Sequence, residues 1–453
     1  MARCRGSSSR PLLRVRNRRL LFIAPSAYPL GGVADWLDYC LPGLVEQGWD
    51  TTLGLVAGRF HDVDRYLERH PWHDTIAIPS VSGSQEGRVL SLMKAINHVS
   101  PDVVAMVNIA DCYEAIRRLR LAGATSAKLA VTLHGLQLDM LDHLRADVDV
   151  IDGVVVSNRL AAAVARTYLA SPHRVVYAPY GVPASTDAPI AHRDNAVLRL
   201  LYCGRIEQSQ KRVLDIPQIV RNLVDSGVQV RTAIAGSGPD EGEFERRIVE
   251  LGVSDHIALL GVLSPMQLAR EYHLHDALLI CSAWETGPIV AWEAMSHGLP
   301  VLSSRYVGSG LEAALANDVN CLLFPVGDCV VAAQLAQQLK DSNLRRRLGQ
   351  AGLKLVQERY NRRTSVLQWS DALEQICQFA PRVASASNHR VASSRSRLDT
   401  WVGSTFAERV RRAVGIEFRH NEPGGEWPHT YLINDDQQMF LDRIAAIDVA
   451  PES

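Results

Sequence analysis

Residues 277–303 read ALLICSAWETGPIVAWEAMSHGLPVLS. Ala277–Cys281 is a short apolar run, which predicts a strand buried on both faces. Pro288–His297 has proline near its first helical position and Gly298 at its end, which predicts a helix. Pro300–Ser303 is a second apolar run and predicts the next strand. Two such strands joined through a helix form a parallel βαβ unit, the building block of a doubly wound α/β sheet.

The same alternation runs outward in both directions. Downstream lies Cys321–Phe324; upstream lie Leu198–Cys203, a helix over Val213–Asp225 ended by Gly227, Gln229–Ala235 and Ile257–Leu260. Ala178–Asn195 is dense in Pro, Gly, Ala and Asp and reads as a connection between two domains. Before it come the strands Arg19–Ala24, Thr52–Val56, Val103–Val107, Leu129–Leu133 and Val154–Ser157, and a helix over Val33–Gln47 stopped by Gly48. The expectation is two Rossmann-like, doubly wound parallel-sheet domains facing a central cleft, 19–180 and 196–380, with 181–195 as the linker. Ligands of such sheets bind beyond the carboxyl ends of the strands.

The 453 residues carry a net charge of −1, which argues against a nucleic-acid-binding protein. Apolar residues at 47% and charged residues at 21% exclude a disordered chain as a whole. No run approaches the roughly 18 apolar residues of a membrane span. The eight cysteines form no C-x-x-C pair and read as free, mostly buried thiols in a reducing compartment. No zinc site is implied.

The ends differ from the middle. Residues 1–18 form a basic tail with no acid, suited to attraction by an acidic membrane surface or to disorder. Residues 381–453 form a C-terminal extension, partly disordered, opening with a Ser-, Ala- and Arg-rich linker. Beyond the linker Leu398, Trp401, Val402, Phe406 and Val410 recur at helical spacing beside Arg409, Arg411 and Arg412. This reads as a basic amphipathic helix docked on the body, or else resting on a membrane.

The chemistry gathers at strand ends. Glu285 precedes the helix start and Glu293 lies one and a half turns inside it. Between them the helix N-terminus suits a phosphate, and Gly287 clears space for a close approach. Carboxylates on either side of a phosphate would take sugar hydroxyls. Arg205 and Lys211 follow the strand Leu198–Cys203 and suit a diphosphate. Gly31 and Gly32 follow the first strand and can present backbone N–H groups to a phosphate. His134, at the end of Leu129–Leu133, either faces the cleft or is a hydrogen-bonded structural histidine. Gly236-Ser237-Gly238-Pro239 lacks the third glycine of a dinucleotide fingerprint, which disfavours a nicotinamide enzyme. Two D-x-D triplets, Asp62–Asp64 and Asp147–Asp149, are expected to be surface acids.

The segment Glu285–Val301 closely resembles the E-x7-E signature of the family 4 glycosyltransferases. Gly204-Arg205 with Lys211 resembles their donor-phosphate motif, and Gly236–Pro239 their second-strand turn. Glu312 and Asn320–Asp328 resemble the stretch after the signature; Gly31-Gly32, Thr132–Gly135 and Pro179–Val182 fall in family order upstream. The resemblance covers residues 19–380. It implies a GT-B fold and metal-independent, retaining hexosyl transfer from a UDP-, GDP- or ADP-linked sugar to a hydroxyl of a glycan, polysaccharide precursor or lipid-linked acceptor. It further implies that Glu293 binds the ribose, Glu285 contacts donor-sugar hydroxyls, and Arg205 and Lys211 stabilise the leaving diphosphate. The backbone at Gly287, Pro288 and Ile289 would border sugar and phosphate, with Gly32 and His134 beside phosphate, sugar and acceptor. No cofactor or metal is implied. The implied setting is the cytoplasm, with peripheral contact at the inner membrane surface. The chain departs from the pattern in two places. Arg212 stands where glycine often follows the lysine, so Arg212 would share the role of Lys211. Ala34-Asp35 stands where a Glu-Arg type pair is frequent. The competing expectation is a non-catalytic GT-B partner or scaffold of another glycosyltransferase.

Overall fold

The computed structural model describes residues 17–26, 32–58, 61–107, 109–185, 190, 192, 196–386, 396–418 and 435–449. Seven parallel strands make the first sheet: β1 (Arg18–Pro25), β2 (Trp49–Ala57), β3 (Thr75–Pro79), β4 (Val103–Val107), β5 (Lys128–Leu133), β6 (Gly153–Val156) and β7 (Val175–Tyr177). Six make the second: β8 (Leu198–Cys203), β9 (Val230–Ala235), β10 (Ile257–Gly261), β11 (Ala277–Ile280), β12 (Val301–Ser304) and β13 (Cys321–Phe324). The orders are β3-β2-β1-β4-β5-β6-β7 and β10-β9-β8-β11-β12-β13. Strand order therefore reverses between β1 and β4, and again between β8 and β11. A crevice opens where order reverses, and the stretch 277–303 begins at the second reversal.

The continuous apolar runs are strands because both faces are covered. In β1, Leu20, Phe22 and Ala24 enter one core cluster, while Leu21 and Ile23 enter another on the opposite face. The strands β3 and β7 are additions to the sequence reading. Both are short edge strands and only partly buried.

The sequence assigns 196–380 to the second domain, yet the helix Arg362–Gln378 lies on the first. Trp369 packs its ring 4.5 Å from that of Trp36, Trp49 Nε1 donates to Ser370 Oγ at 3.0 Å, and Gly43 leaves room for Val366. A methyl group added at Gly43 would lie 2.4 Å from Val366 Cγ2.

The extension folds as three helices among the described residues: Arg397–Val402, Ser404–Val414 and Asp435–Ala445. The expected single amphipathic helix breaks at Gly403, whose φ is 79°. The pair docks on the first domain by its polar side. Glu408 is buried and accepts from Ser82 Oγ at 2.5 Å and Ser84 Oγ at 2.6 Å. Arg411 is buried on Asp399 at 2.6 Å. Trp401, 81% exposed, and Phe406, 56% exposed, face outward instead.

The D-x-D expectation holds for one triplet and fails for the other. Asp62 is exposed and caps the helix Val63–Arg69, accepting from Arg65 N at 3.0 Å. Asp147 is buried and shares the buried Arg117 with the half-buried Asp149, at 2.7 and 2.9 Å, so a buried cation draws this triplet partly inward. The seven described cysteines are free thiols, four of them buried. No helix among the described residues is long and apolar enough to cross a membrane.

Candidate active site

The site is built from two loops at the carboxyl ends of β8 and β11. After β8 the chain turns at Gly204, with φ 155°, against Gly236, with φ 141°. A methyl group at Gly236 would lie 1.9 Å from the Gly204 carbonyl, so both turns need a bare backbone. Tyr202 Oη donates to the Arg205 carbonyl at 2.6 Å and fixes the first residue of the loop. The loop is then stitched to its neighbour: Ala283 N donates to the Gln210 carbonyl at 2.7 Å, and Gln210 Nε2 to the Trp284 carbonyl at 3.1 Å.

This stitching brings the expected charges together. Lys211 Nζ lies 2.6 Å from Glu285 Oε1, which also accepts from Ser282 Oγ at 2.6 Å. Arg205 Nη2 donates to Gln210 Oε1 at 2.7 Å, and Gln210 Nε2 reaches Glu285 Oε2 at 3.4 Å. Glu285 is buried, and these donors take the place of water around its carboxylate. The lysine charge is neutralised within the site, and an arriving diphosphate would compete with Glu285 for it.

Gly287 has φ 135°, and a methyl group there would sit 2.7 Å from the ring of Tyr180. Pro288 caps the helix Ile289–Ser296 without a side-chain hydrogen bond, and its carbonyl takes the N–H groups of Ala291 and Trp292, at 2.8 and 3.4 Å. Glu293, on that helix, accepts from Tyr272 Oη at 3.0 Å. Burial pushes its carboxyl up to about 7, with the Tyr272 hydrogen bond opposing and the Asp35 charge adding.

The first domain supplies the facing wall. Gly32 opens the helix Gly32–Glu46 directly against Ile289, and a methyl group there would meet Ile289 Cδ1 at 3.2 Å. His134 is locked by both ring nitrogens. Thr132 Oγ1 spends its proton on the Met106 carbonyl at 2.9 Å, so it accepts from His134 Nε2–H at 2.8 Å. His134 Nδ1 then accepts from the Tyr180 hydroxyl. The imidazole lies parallel to the Trp369 ring, at 2° and 6.1 Å between centroids. Burial lowers its pKa to about 3, so it stays neutral. Its carbonyl accepts from Thr286 Oγ1 at 2.8 Å, and Ser157 Oγ donates to the Thr286 carbonyl at 3.0 Å. The loop around Thr286 is thereby tied to the first domain as well as to its own.

The structure brings together Arg205, Lys211, Glu285, Glu293, Gly287, Pro288, Ile289, Gly32, Gly236 and His134 around one crevice. Arg212 is not among them. Its φ of 51° swings the guanidinium onto Asp215, at 2.7 Å, beside Gly327. It therefore does not join Lys211 at Glu285. Gly31 lies outside the described residues. Sequence reasoning passed over Gln210, Ser282 and Tyr272. Gln210 had a signal, being polar between two expected cations; Tyr272 had none. Glu312, part of the quoted stretch, is a structural hub: Tyr177 Oη and Tyr360 Oη donate to it at 2.5 and 2.6 Å, and Arg159 N at 2.9 Å. Among the described residues one group, Asp35, Asp38 and His70, has ligating atoms within 4.8 Å of one another; His70 Nδ1 pairs with Asp38 at 2.8 Å.

Residues 190–355 match the family described as Glycosyl transferases group 1. The span covers the second sheet, the loops after β8 and β11 and the helix Ile289–Ser296. The chain is 29% identical over 160 residues to N-acetyl-alpha-D-glucosaminyl L-malate synthase of Bacillus anthracis, covering 35% of this chain and 41% of that one. It is 26% identical over 220 residues to lipopolysaccharide 1,6-galactosyltransferase of Salmonella typhimurium, covering 48% and 59%. The matches thus span about half the length of these relatives. Among solved structures, HepE of Anabaena in complex with UDP and glucose superposes with a TM-score of 0.63 at 16% identity, covering 79% of this chain and 100% of that one. That likeness shows the fold, which is GT-B: two Rossmann-like parallel-sheet domains facing a cleft.

Proposed function

We propose that the protein is a retaining glycosyltransferase of hexosyltransferase type. It transfers a sugar from a UDP-, GDP- or ADP-linked donor to a hydroxyl of a glycan, polysaccharide precursor or lipid-linked acceptor, without metal or cofactor. The observation that carries this reading is the Lys211–Glu285 pair, at 2.6 Å, set beside Arg205 and Gln210 at the switch point. Relatives and neighbours support it: the names of the two relatives above describe sugar-transferring enzymes, and HepE holds UDP and glucose.

The residues divide the work by charge. Glu293 accepts from the ribose diol. Glu285 accepts from hydroxyls of the donor sugar. Lys211 and Arg205 take the negative charge that grows on the departing diphosphate. The N–H groups at the start of the Ile289–Ser296 helix, with Gly287 and Gly32, border phosphate and sugar. The bond from the anomeric carbon to the phosphate oxygen breaks, and the acceptor oxygen bonds that carbon on the same face. The acceptor proton passes to the departing phosphate oxygen. His134, neutral and doubly hydrogen-bonded, holds the Thr286 loop in place through its carbonyl.

The proposed setting is the cytoplasm, with peripheral contact at an acidic membrane surface. Trp401 and Phe406 project from the extension near the exposed Arg397, Arg409 and Arg412. Binding to anionic vesicles should weaken with salt and with deletion of residues 1–18; indifference to both would refute the contact.

The deciding experiment is a thermal-shift screen with UDP, GDP, ADP and their sugar conjugates, each with and without EDTA. A ligand at about 100 times its dissociation constant adds about 2.7 kcal/mol of stability. One diphosphate should shift the transition, EDTA should not remove the shift, and the sugar released from its conjugate should keep the donor's anomeric configuration by NMR. No shift from a cooperatively folded sample would replace this reading with a non-catalytic partner of another transferase.

A further inference from the structure

The helix Asp435–Ala445 does not merely rest on the first domain. Phe440, Leu441 and Ile444 are buried in its core with Leu141 and Leu144. Near the start of the helix, the Gln437 side chain grips the segment that follows His134. Its Nε2 donates to the Leu136 carbonyl at 2.8 Å, and its Oε1 accepts from Leu138 N at 2.8 Å. Leu138 begins the helix Leu138–Ala146, whose own cap residue Gln137 makes no side-chain cap. Gln437 supplies that cap from 299 residues away.

Just past the other end, Asp448 crosses to the second domain. Its carboxylate accepts from Gly308 N at 2.6 Å, Gly310 N at 3.1 Å and Leu311 N at 2.8 Å. The fit is close, since a methyl group at Gly310 would lie 1.9 Å from the Asp448 carbonyl. This turn supports the donor loop. Glu285 N donates to the Val307 carbonyl at 3.0 Å, Val307 N to the Ala283 carbonyl at 2.9 Å, and a methyl group at Gly308 would lie 2.1 Å from the Glu285 carbonyl. One short segment therefore holds the loop after His134 at one end and the loop beside Glu285 at the other.

We propose that residues 435–448 form a brace that sets the Glu285 loop against the His134 loop, with Gln437 and Asp448 as positioning residues for sugar transfer. The proposal rests on the glycosyltransferase reading above. Three N–H groups converging on one carboxylate fix the turn 308–311 more firmly than the backbone alone. Reacting groups tolerate little displacement, because a shift of about 1 Å can cost about 100-fold in rate.

The test compares wild type with Asp448→Ala, Asp448→Asn and Gln437→Ala. Donor turnover is followed with UDP-glucose, GDP-mannose and ADP-glucose, UDP, GDP and ADP affinity by calorimetry, and amide exchange over 134–138, 283–287 and 307–312. Asp448→Ala should lower kcat about 10–100-fold while nucleotide affinity stays within about threefold, because Asp448 bonds to the turn 308–311 while Glu293 is held separately by Tyr272. Exchange should rise in 307–312 and also in 283–287. Asp448→Asn, which keeps one acceptor oxygen, should recover part of the rate. Gln437→Ala should raise exchange over 134–138. Exchange confined to 307–312 with unchanged kcat would overturn the brace, as would a lowered Tm with full activity per folded molecule. If the wild type binds none of the nucleotides, the functional reading fails, and the spread of exchange from 307–312 to 283–287 alone decides the brace.

Discussion

The two walls of the cleft are built from opposite materials. The second-domain wall is ionic: Lys211, Arg205 and Glu285, tied together by Gln210 and Ser282, and Glu293, held by Tyr272. The first-domain wall is aromatic and neutral: Trp36, His134 and Tyr180, with Trp369 brought over by the crossing helix. An ionic wall meets charge that moves during a reaction, and a packed aromatic wall holds a shape that does not. The contrast assigns charge handling to one side and geometry to the other, and single substitutions on each side should separate the two.

The largest effect belongs to the ionic wall. Lys211→Ala should lower kcat by about 10²–10³-fold, the usual cost of one preorganised charge donor. It also strips the buried Glu285 carboxylate of its cation, so Lys211→Ala should be less stable than the Lys211→Ala, Glu285→Gln pair. Donor consumption and thermal unfolding measure these separately. A loss in kcat below about threefold would remove Lys211 from the leaving-group role.

Glu293 sharpens the contrast through pH. Its folded carboxyl titrates near 7, above the ordinary carboxylate value, so the native state holds the proton more tightly than the unfolded chain. Its contribution to stability is present below the unfolded pKa and is lost as pH rises to about 7. The ionised form accepts from a ribose diol, so nucleotide affinity should rise over the same interval. Glu293→Gln should stabilise the free protein at pH 8 by about 1–3 kcal/mol. It should weaken nucleotide binding by about 10–100-fold and flatten its pH dependence. An affinity that falls with pH in the wild type would contradict the ribose role.

What the sequence makes legible follows the same division. The stretch 277–303 is readable because a strand buried on both faces must be apolar throughout. Glu285, Arg205 and Lys211 stand out because they gather just after buried strands, and Glu293 by its spacing from Glu285 across the helix start. Arg212 illustrates the limit: one backbone angle, φ 51°, decides between the crevice and Asp215, and composition carries no trace of it. The aromatic wall is equally silent, since Trp369 reaches His134 only after the chain has crossed both domains. The polar docking of the extension depends on Glu408 meeting Ser82 across 326 residues, a distance no local periodicity can register.

The aromatic wall should yield the smallest effects. Tyr180→Phe removes the hydroxyl that donates to His134 Nδ1 and leaves a buried acceptor unpaired, costing about 1–2 kcal/mol of stability. With Thr132 still accepting from Nε2–H, the ring keeps its tautomer, so kcat should fall only about 3–10-fold, in step with a loosened Thr286 loop. The histidine itself leaves a signature in acid. Its pKa drops from 6.5 to about 3 on folding because the charged ring cannot be hydrated, so its contribution is present above 6.5 and is lost as pH falls toward 3. The wild type should therefore lose Tm between pH 6.5 and 4.5 more steeply than His134→Gln, which has no proton to take up. Equal slopes would mean that the imidazole accepts its proton freely. A ring whose two nitrogens are already held by Tyr180 and Thr132 has no free site for that proton.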